Sequence, residues 1–211
     1  MGLTARSYPI AADTAVEAGQ LVKLTGARVA LSAANETGQI LGVAAENHPG
    51  VADALNARAN GTEILVYDNP GLIFECSVPR IEAASGTETT VTAKAGEVAA
   101  AIADGAFTNA VLRLRERAAA SANPDSPGTL YRVTGYTKTG TVLTHAGGGA
   151  ASAGDVYELY PPIGSAICGL DDARKKLLVS ATGATSLRVI GHDYDRGMIR
   201  CLASKHALGG V

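Results

Sequence analysis

Tryptophan is absent from the 211 residues, phenylalanine occurs twice and tyrosine seven times, so few large rings are available to fill an interior. Hydrophobic residues still make up 46% of the chain, and 39 residues are alanine, so much of the apolar volume is methyl-sized. Thin side chains with 25 glycines to supply turns suit stacked short strands better than a helix bundle, whose seams need large knobs. Neither sign of charge is in excess: 18 Lys+Arg against 20 Asp+Glu leaves −2. That balance provides no broad positive footprint for duplex nucleic acid or an anionic membrane surface. No apolar run approaches the roughly 20 residues that cross a bilayer as a helix. The opening MGLTARSYPI lacks the apolar core of a secretory signal, and Arg6 breaks the myristoylation pattern. Three cysteines, Cys76, Cys168 and Cys201, are odd in number and lack C-x-x-C spacing. They predict buried thiols in a protein made in a reducing cytoplasm, with no disulfide frame and no zinc site.

What is present is a long series of short β signals. Residues 1–18 show little periodicity before Gly19 and predict an extended N-terminal arm ordered by lying on something else. Residues 21–25, 28–32 and 40–44 have strand character, punctuated by Gly26 and the 35–38 stretch. One or two helical turns are plausible over 52–59. Residues 63–67 and 72–78 flank Asp68-Asn69-Pro70-Gly71 and predict an antiparallel hairpin closed by a type II turn, with Pro70 at its second position and Gly71 at its third. Leu72, Phe74, Cys76 and Val78 should face one way, Ile73, Glu75 and Ser77 the other. Residues 87–93 favour a strand, while the alanine-rich 97–104 fits a short helix or a buried strand equally.

A second β series begins at residue 111. Leu112 and Leu114 are expected inward, with Arg113, Arg115 and Arg117 on the outer face of the same strand. Residues 131–136 and 141–145 flank Thr137-Lys-Thr-Gly140 as a hairpin, and strands are expected at 155–160, 176–180, 187–190 and 198–203. The fold class is therefore all-β, an antiparallel barrel or sandwich-like core with the N-terminal arm and an inserted β module. The organisation read from the sequence is an arm over 1–18, a core over 19–110 and 163–211, and an insertion over 111–162.

Candidate sites are few. No nucleophile elbow, Walker A loop, H-E-x-x-H or strand-borne G-x-G-x-x-G occurs, so no enzyme, metal or cofactor is predicted. Gly191-His192-Asp193-Tyr194-Asp195 offers an imidazole and two carboxylates, but a pentapeptide alone cannot supply converging metal ligands, and a polar turn is the expectation. His48 and His145 lack acidic neighbours in sequence and are read as loop or strand-end residues, and His206 as a packing or interface residue. Arg113, Arg115 and Arg117 form a charged face that could meet an acidic partner, although a solvated outer face is the ordinary outcome for such residues. Tyr8, Pro9 and Ile10 are the anchors available in the arm.

Ala18-Gly-Gln-Leu-Val-Lys-Leu24, Ile40-Leu-Gly-Val-Ala-Ala45, Gly61-Thr-Glu-Ile-Leu-Val-Tyr67 and Leu72-Ile-Phe-Glu75 together resemble the serial strands of tailed-bacteriophage head decoration, or cement, proteins. Ser186-Leu-Arg-Val-Ile-Gly191 and residues 199–206 resemble the final strands of that family. The resemblance covers about two thirds of the chain, and residues 111–162 depart from it. It implies a structural virion protein, made in the host bacterial cytoplasm, that sits on the outer capsid surface. It also implies a homotrimer at three-fold positions that clamps the major capsid protein and has no nucleic-acid or membrane partner. A carbohydrate- or ligand-binding β module displayed on a virion or cell surface is the alternative, weakened by the shortage of stacking rings.

Overall fold

The computed structural model of the chain describes residues 4–10, 14–33, 38–50, 63–98, 102–165, 169–170, 177–178 and 187–208. Every regular element among them is a strand, and the sheets are antiparallel. The expected helical turn over 52–59 lies outside the described residues.

The first body uses β1 (Ala5–Pro9), β2 (Ala15–Val16), β3 (Leu21–Thr25), β4 (Arg28–Leu31), β5 (Ile40–Ala44), β6 (His48–Pro49) and β7 (Glu63–Tyr67). Five of these form one sheet in the order β1-β7-β5-β3-β4, while β2 and β6 make a short ribbon beside it. Ile10, just beyond β1, bridges Val29 on β4, so the two outer strands meet and the sheet curls around its own core. Ile10, Val16, Val22, Val29, Leu41, Ala44, Ile64 and Val66 fill that core. The neighbours Leu21 and Ile40 point through the opposite face into a second cluster. Burial on both faces explains why β3 and β5 read as apolar runs rather than as alternation. Gly42 is required at the sheet's centre, because a Cβ there would collide with the Tyr67 carbonyl.

The segment read as an arm is thus, where described, an edge strand of the chain's own sheet. Arg6 to Pro9 pair with residues 63–66 on β7, and Ile10 is buried.

Beyond β7, β8 (Ile73–Ser77) leaves for a different sheet. The faces of residues 72–78 are as expected, with Phe74, Cys76 and Val78 buried and Ile73 and Glu75 exposed. The hairpin is not formed. Both sides of β7 are already occupied by β1 and β5, and β8 pairs with a strand more than a hundred residues away. The turn is not type II either. Leu72 N–H donates to Asn69 O at 2.9 Å, Gly71 has no positive φ, and Asn69 Oδ1 accepts the Gly71 N–H at 2.8 Å.

Next come β9 (Arg80–Thr87), β10 (Thr90–Ala93), β11 (Val111–Glu116), β12 (Leu130–Thr137), β13 (Val142–His145) and β14 (Val156–Tyr160), which close a six-stranded barrel in the order β10-β13-β12-β11-β14-β9. Leu112 and Leu114 point inward and are fully buried, and the β12–β13 hairpin forms as expected. Tyr131, Tyr136, Tyr157 and Phe107 add bulk to the interior. Residues 80–93, placed before the 111–162 insertion in the sequence reading, join it in this barrel by backbone pairing. The described part of 97–104 is neither helix nor strand. Turns there and over 104–109 carry Val98, Ile102 and Phe107 into the barrel core.

The chain ends in β15 (Gly169–Leu170), β16 (Leu177–Leu178), β17 (Leu187–Asp193) and β18 (Met198–Ala203). β15 and β16 pair with each other, and β17-β18-β8 form a three-stranded sheet. Its inner face carries Phe74, Cys76, Leu187, Val189, Ile199 and Cys201 against Leu21, Ile40 and Tyr160. The two buried cysteines belong to this packing, and Cys168 lies outside the described residues. The first body and this sheet thus share a core as a sandwich, with the barrel attached through Tyr160.

Candidate functional site

A buried ion pair with its polar and aromatic surroundings lies where the barrel meets the β17–β18 hairpin. Along β14, Tyr157 and Leu159 enter the barrel, so the period of two sends Glu158 and Tyr160 outward. Both are nevertheless buried, in a region where the β17–β18 turn comes close to β14. Gly197 sits in that turn at φ +63°, and a Cβ on it would lie 3.0 Å from Glu158 Oε1. Glycine therefore meets a backbone demand and a space demand together.

Arg113 is the cross-strand neighbour of Glu158. Its Nη1 lies 3.1 Å from Glu158 Oε2 and donates to the Tyr194 carbonyl at 2.6 Å. Tyr160 Oη donates to the same carboxylate oxygen at 3.0 Å, and Arg115 Nε stands 3.7 Å from Oε1. Burial works to lower the Arg113 pKa, but the hydrogen bond and charge of Glu158 leave it raised. Burial, then Glu158, pushes the Tyr160 phenol well above its ordinary value. Three rings pack beside the pair: Tyr160 and Tyr194 meet edge-on at 4.7 Å, and His192 lies 5.3 Å from Tyr160.

His192 is engaged at both nitrogens. Nε2 is 2.8 Å from the Pro161 carbonyl, which can only accept, so Nε2 carries the proton. Nδ1 then accepts from Tyr194 Oη at 3.1 Å. Burial holds the imidazole below its ordinary pKa. A neutral ring with both nitrogens bonded is a structural element, not a poised base. Asp193 turns the other way, 3.6 Å from Arg200 and 3.9 Å from Arg196, and Glu75 binds the same two arginines. Asp195 is exposed. The pentapeptide therefore does not converge on a cation, and no group of three His, Cys, Asp or Glu side chains among the described residues could hold one.

The three arginines of the expected charged face separate. Arg113 is consumed by the junction, Arg115 reaches it from a position 41% exposed, and Arg117 donates to the Ser121 carbonyl at 3.1 Å. Tyr8, Pro9 and Ile10 lie in the first body, away from this junction. Tyr8 donates to Asp68, Pro9 is exposed and Ile10 is buried. His145 is buried in the barrel wall against the Tyr131 ring.

Sequence reasoning missed the buried carboxylates. Nothing in Val156-Tyr-Glu-Leu-Tyr160 marks Glu158 as buried, because its counter-ion Arg113 lies on β11 and the turn that covers it, at Gly197, lies beyond β17. Asp155 is similar. It accepts from the backbone N–H groups of Ala118 and Ser152 and from Ser121 and Asn123, joining two loops at one barrel end. Burial would raise its pKa, but these four donors hold it below the ordinary value.

The constellation has the properties of a fastener, with each charge met and the ring nitrogens occupied. The open chemistry is main-chain. Val78 N–H donates to Gly197 O at 3.0 Å, and N–H direction alternates along a strand, so those of Ile73, Glu75 and Ser77 point away from β18. No described strand pairs with β8 on that side. Comparison with protein-family models, with curated proteins and with solved structures finds no match to this chain.

Proposed function

We propose that the chain is a structural virion protein that binds the outer surface of a bacteriophage capsid as a homotrimer and stabilises the shell of major capsid protein. One observation carries this reading: the segments that resemble decoration proteins come together in one body. Residues 18–24, 40–45 and 63–67 supply three adjacent strands of the curled sheet, while 72–75, 187–191 and 199–203 supply the sheet packed against it. The departing segment belongs to the barrel. Buried ion pairs, and a β8 edge that no strand among the described residues pairs with, suit a protein that grips by shape and main-chain pairing. Trimerisation would multiply each modest contact. Sugar recognition has less support, since Tyr131, Tyr136, Tyr157, Tyr160, Phe74 and Phe107 are buried.

The test is co-sedimentation of the purified chain with undecorated capsids, alongside sedimentation equilibrium of the chain alone. Binding that saturates at three-fold sites, with a trimer in solution or on the shell, is expected. Failure to bind capsids overturns the proposal.

A further inference from the structure

The segment after β18 returns to the first body and lies along β5. Ile40 N–H donates to the Lys205 carbonyl at 2.9 Å, and Ala207 N–H donates to the Ile40 carbonyl at 2.9 Å. Together they make a parallel bridge between Ile40 and His206. The bridge sits where the cores meet: Ile40 packs in the sandwich cluster, Leu41 in the curled-sheet cluster, and Ala207 packs against the latter.

His206 is buried at 4% exposure. Its Nδ1 accepts the Leu208 N–H at 3.1 Å, so in the neutral ring the proton is on Nε2. Nε2 is buried and makes no hydrogen bond. A second proton would have to occupy Nδ1, which removes the acceptor for Leu208. It would set an Nδ1–H against the Leu208 N–H, with no acceptor between them, and place a cation away from water, an arrangement that costs far more than the neutral one.

We propose that His206 is a proton-operated latch: neutral, it holds residues 204–208 on β5, and protonated it releases them and opens the seam between the two cores. The ionisable groups around it are Asp68, which carries Tyr8 and Arg6, Lys23 on β3 opposite Ile40, and Lys205 beside it. Burial dominates and lowers the imidazole pKa, against the Leu41 carbonyl and the Asp68 charge, which raise it. The sign follows. The unfolded chain takes up the proton near pH 6.5 and the folded chain only below that, so the latch contributes fully above about pH 6.5 and is lost as pH falls through the folded value. The inference is independent of capsid binding.

The experiment is an NMR pH titration of the full chain, following the His206 ring and the amides of Ile40, Ala207 and Leu208, with amide exchange corrected for intrinsic rates. The ring should titrate below its ordinary value. The three amides should move with the same midpoint, and their protection should fall about tenfold or more on acidification. His206→Asn keeps an acceptor for the N–H two residues on, as Asn69 does for Gly71, but cannot titrate in this range. Its amides should stay protected where those of the natural chain do not. A ring that titrates at or above the ordinary value, or amides that ignore it, overturns the latch on the natural chain alone. Equal acid loss in His206→Asn does so as well.

Discussion

Glu158 is a carboxylate with almost no access to water, and Arg113 is the cation that makes it tolerable. Removing one partner of such a pair strands the other, whereas removing both charges does not. Arg113→Met should therefore destabilise the chain by about 3 kcal/mol, toward the lower end for a buried pair because Arg115 remains within reach. Adding Glu158→Gln should restore more than half of that loss, since an amide no longer requires a cation. Arg115→Ala should cost less than about 1 kcal/mol, because its side chain is exposed and stands at 3.7 Å from Glu158. Urea unfolding of the three variants at neutral pH measures all of this. Equal losses in the single and double variants would show that Glu158 needs no counter-charge.

Among the elements, β1 decides how the N-terminal segment should be regarded. A passive arm could be trimmed without effect on the rest. An edge strand whose continuation places Ile10 in the core and Tyr8 on Asp68 cannot. Deletion of residues 1–10 should cost about 2–4 kcal/mol, the scale of losing a buried isoleucine with its cavity. Thermal unfolding should show a clear drop in Tm, and an unchanged Tm would return the segment to the status of an arm. Alternation made the faces legible: Leu112 and Leu114 and the two sides of 72–78 follow directly from residue order, while the short turn at 137–140 marked the β12–β13 hairpin. It reports which face a residue takes but not which strand lies alongside. That is why 63–67 and 72–78 read as a hairpin although β7 was already flanked on both sides. Burial of Glu158 and Asp155 was illegible for a related reason, because each is buried by loops and turns distant in sequence. Gly197 is the residue that could have pointed to the junction, since a glycine in a short inter-strand turn invites the question of what approaches it.

For the molecule as a whole, the near-neutral charge and the internal use of Arg113 leave little free electrostatics to direct association. On the capsid-binding role proposed above, binding should therefore weaken by less than about tenfold, or 1.4 kcal/mol, between low and physiological salt. Arg115→Ala should follow the same shallow curve. A salt series of co-sedimentation measures both, and a steep fall in the natural chain that Arg115→Ala removes would move the grip to the arginine strand. The closed barrel has a different consequence. The chain enters it on β9 and leaves on β14, and these strands are neighbours, with Arg80 opposite Glu158 and Leu159 N–H bonded to the Pro79 carbonyl at 2.9 Å. The barrel is thus joined to the rest of the chain through two neighbouring strands and the contacts around Tyr194, as a cassette is to its slot. Recombination could exchange such a unit for another, or for a plain turn, without redrawing the ladders on either side. A lineage could in this way vary the barrel while inheriting the sandwich unchanged, provided that each new arrival matched the polar fitting around Tyr194.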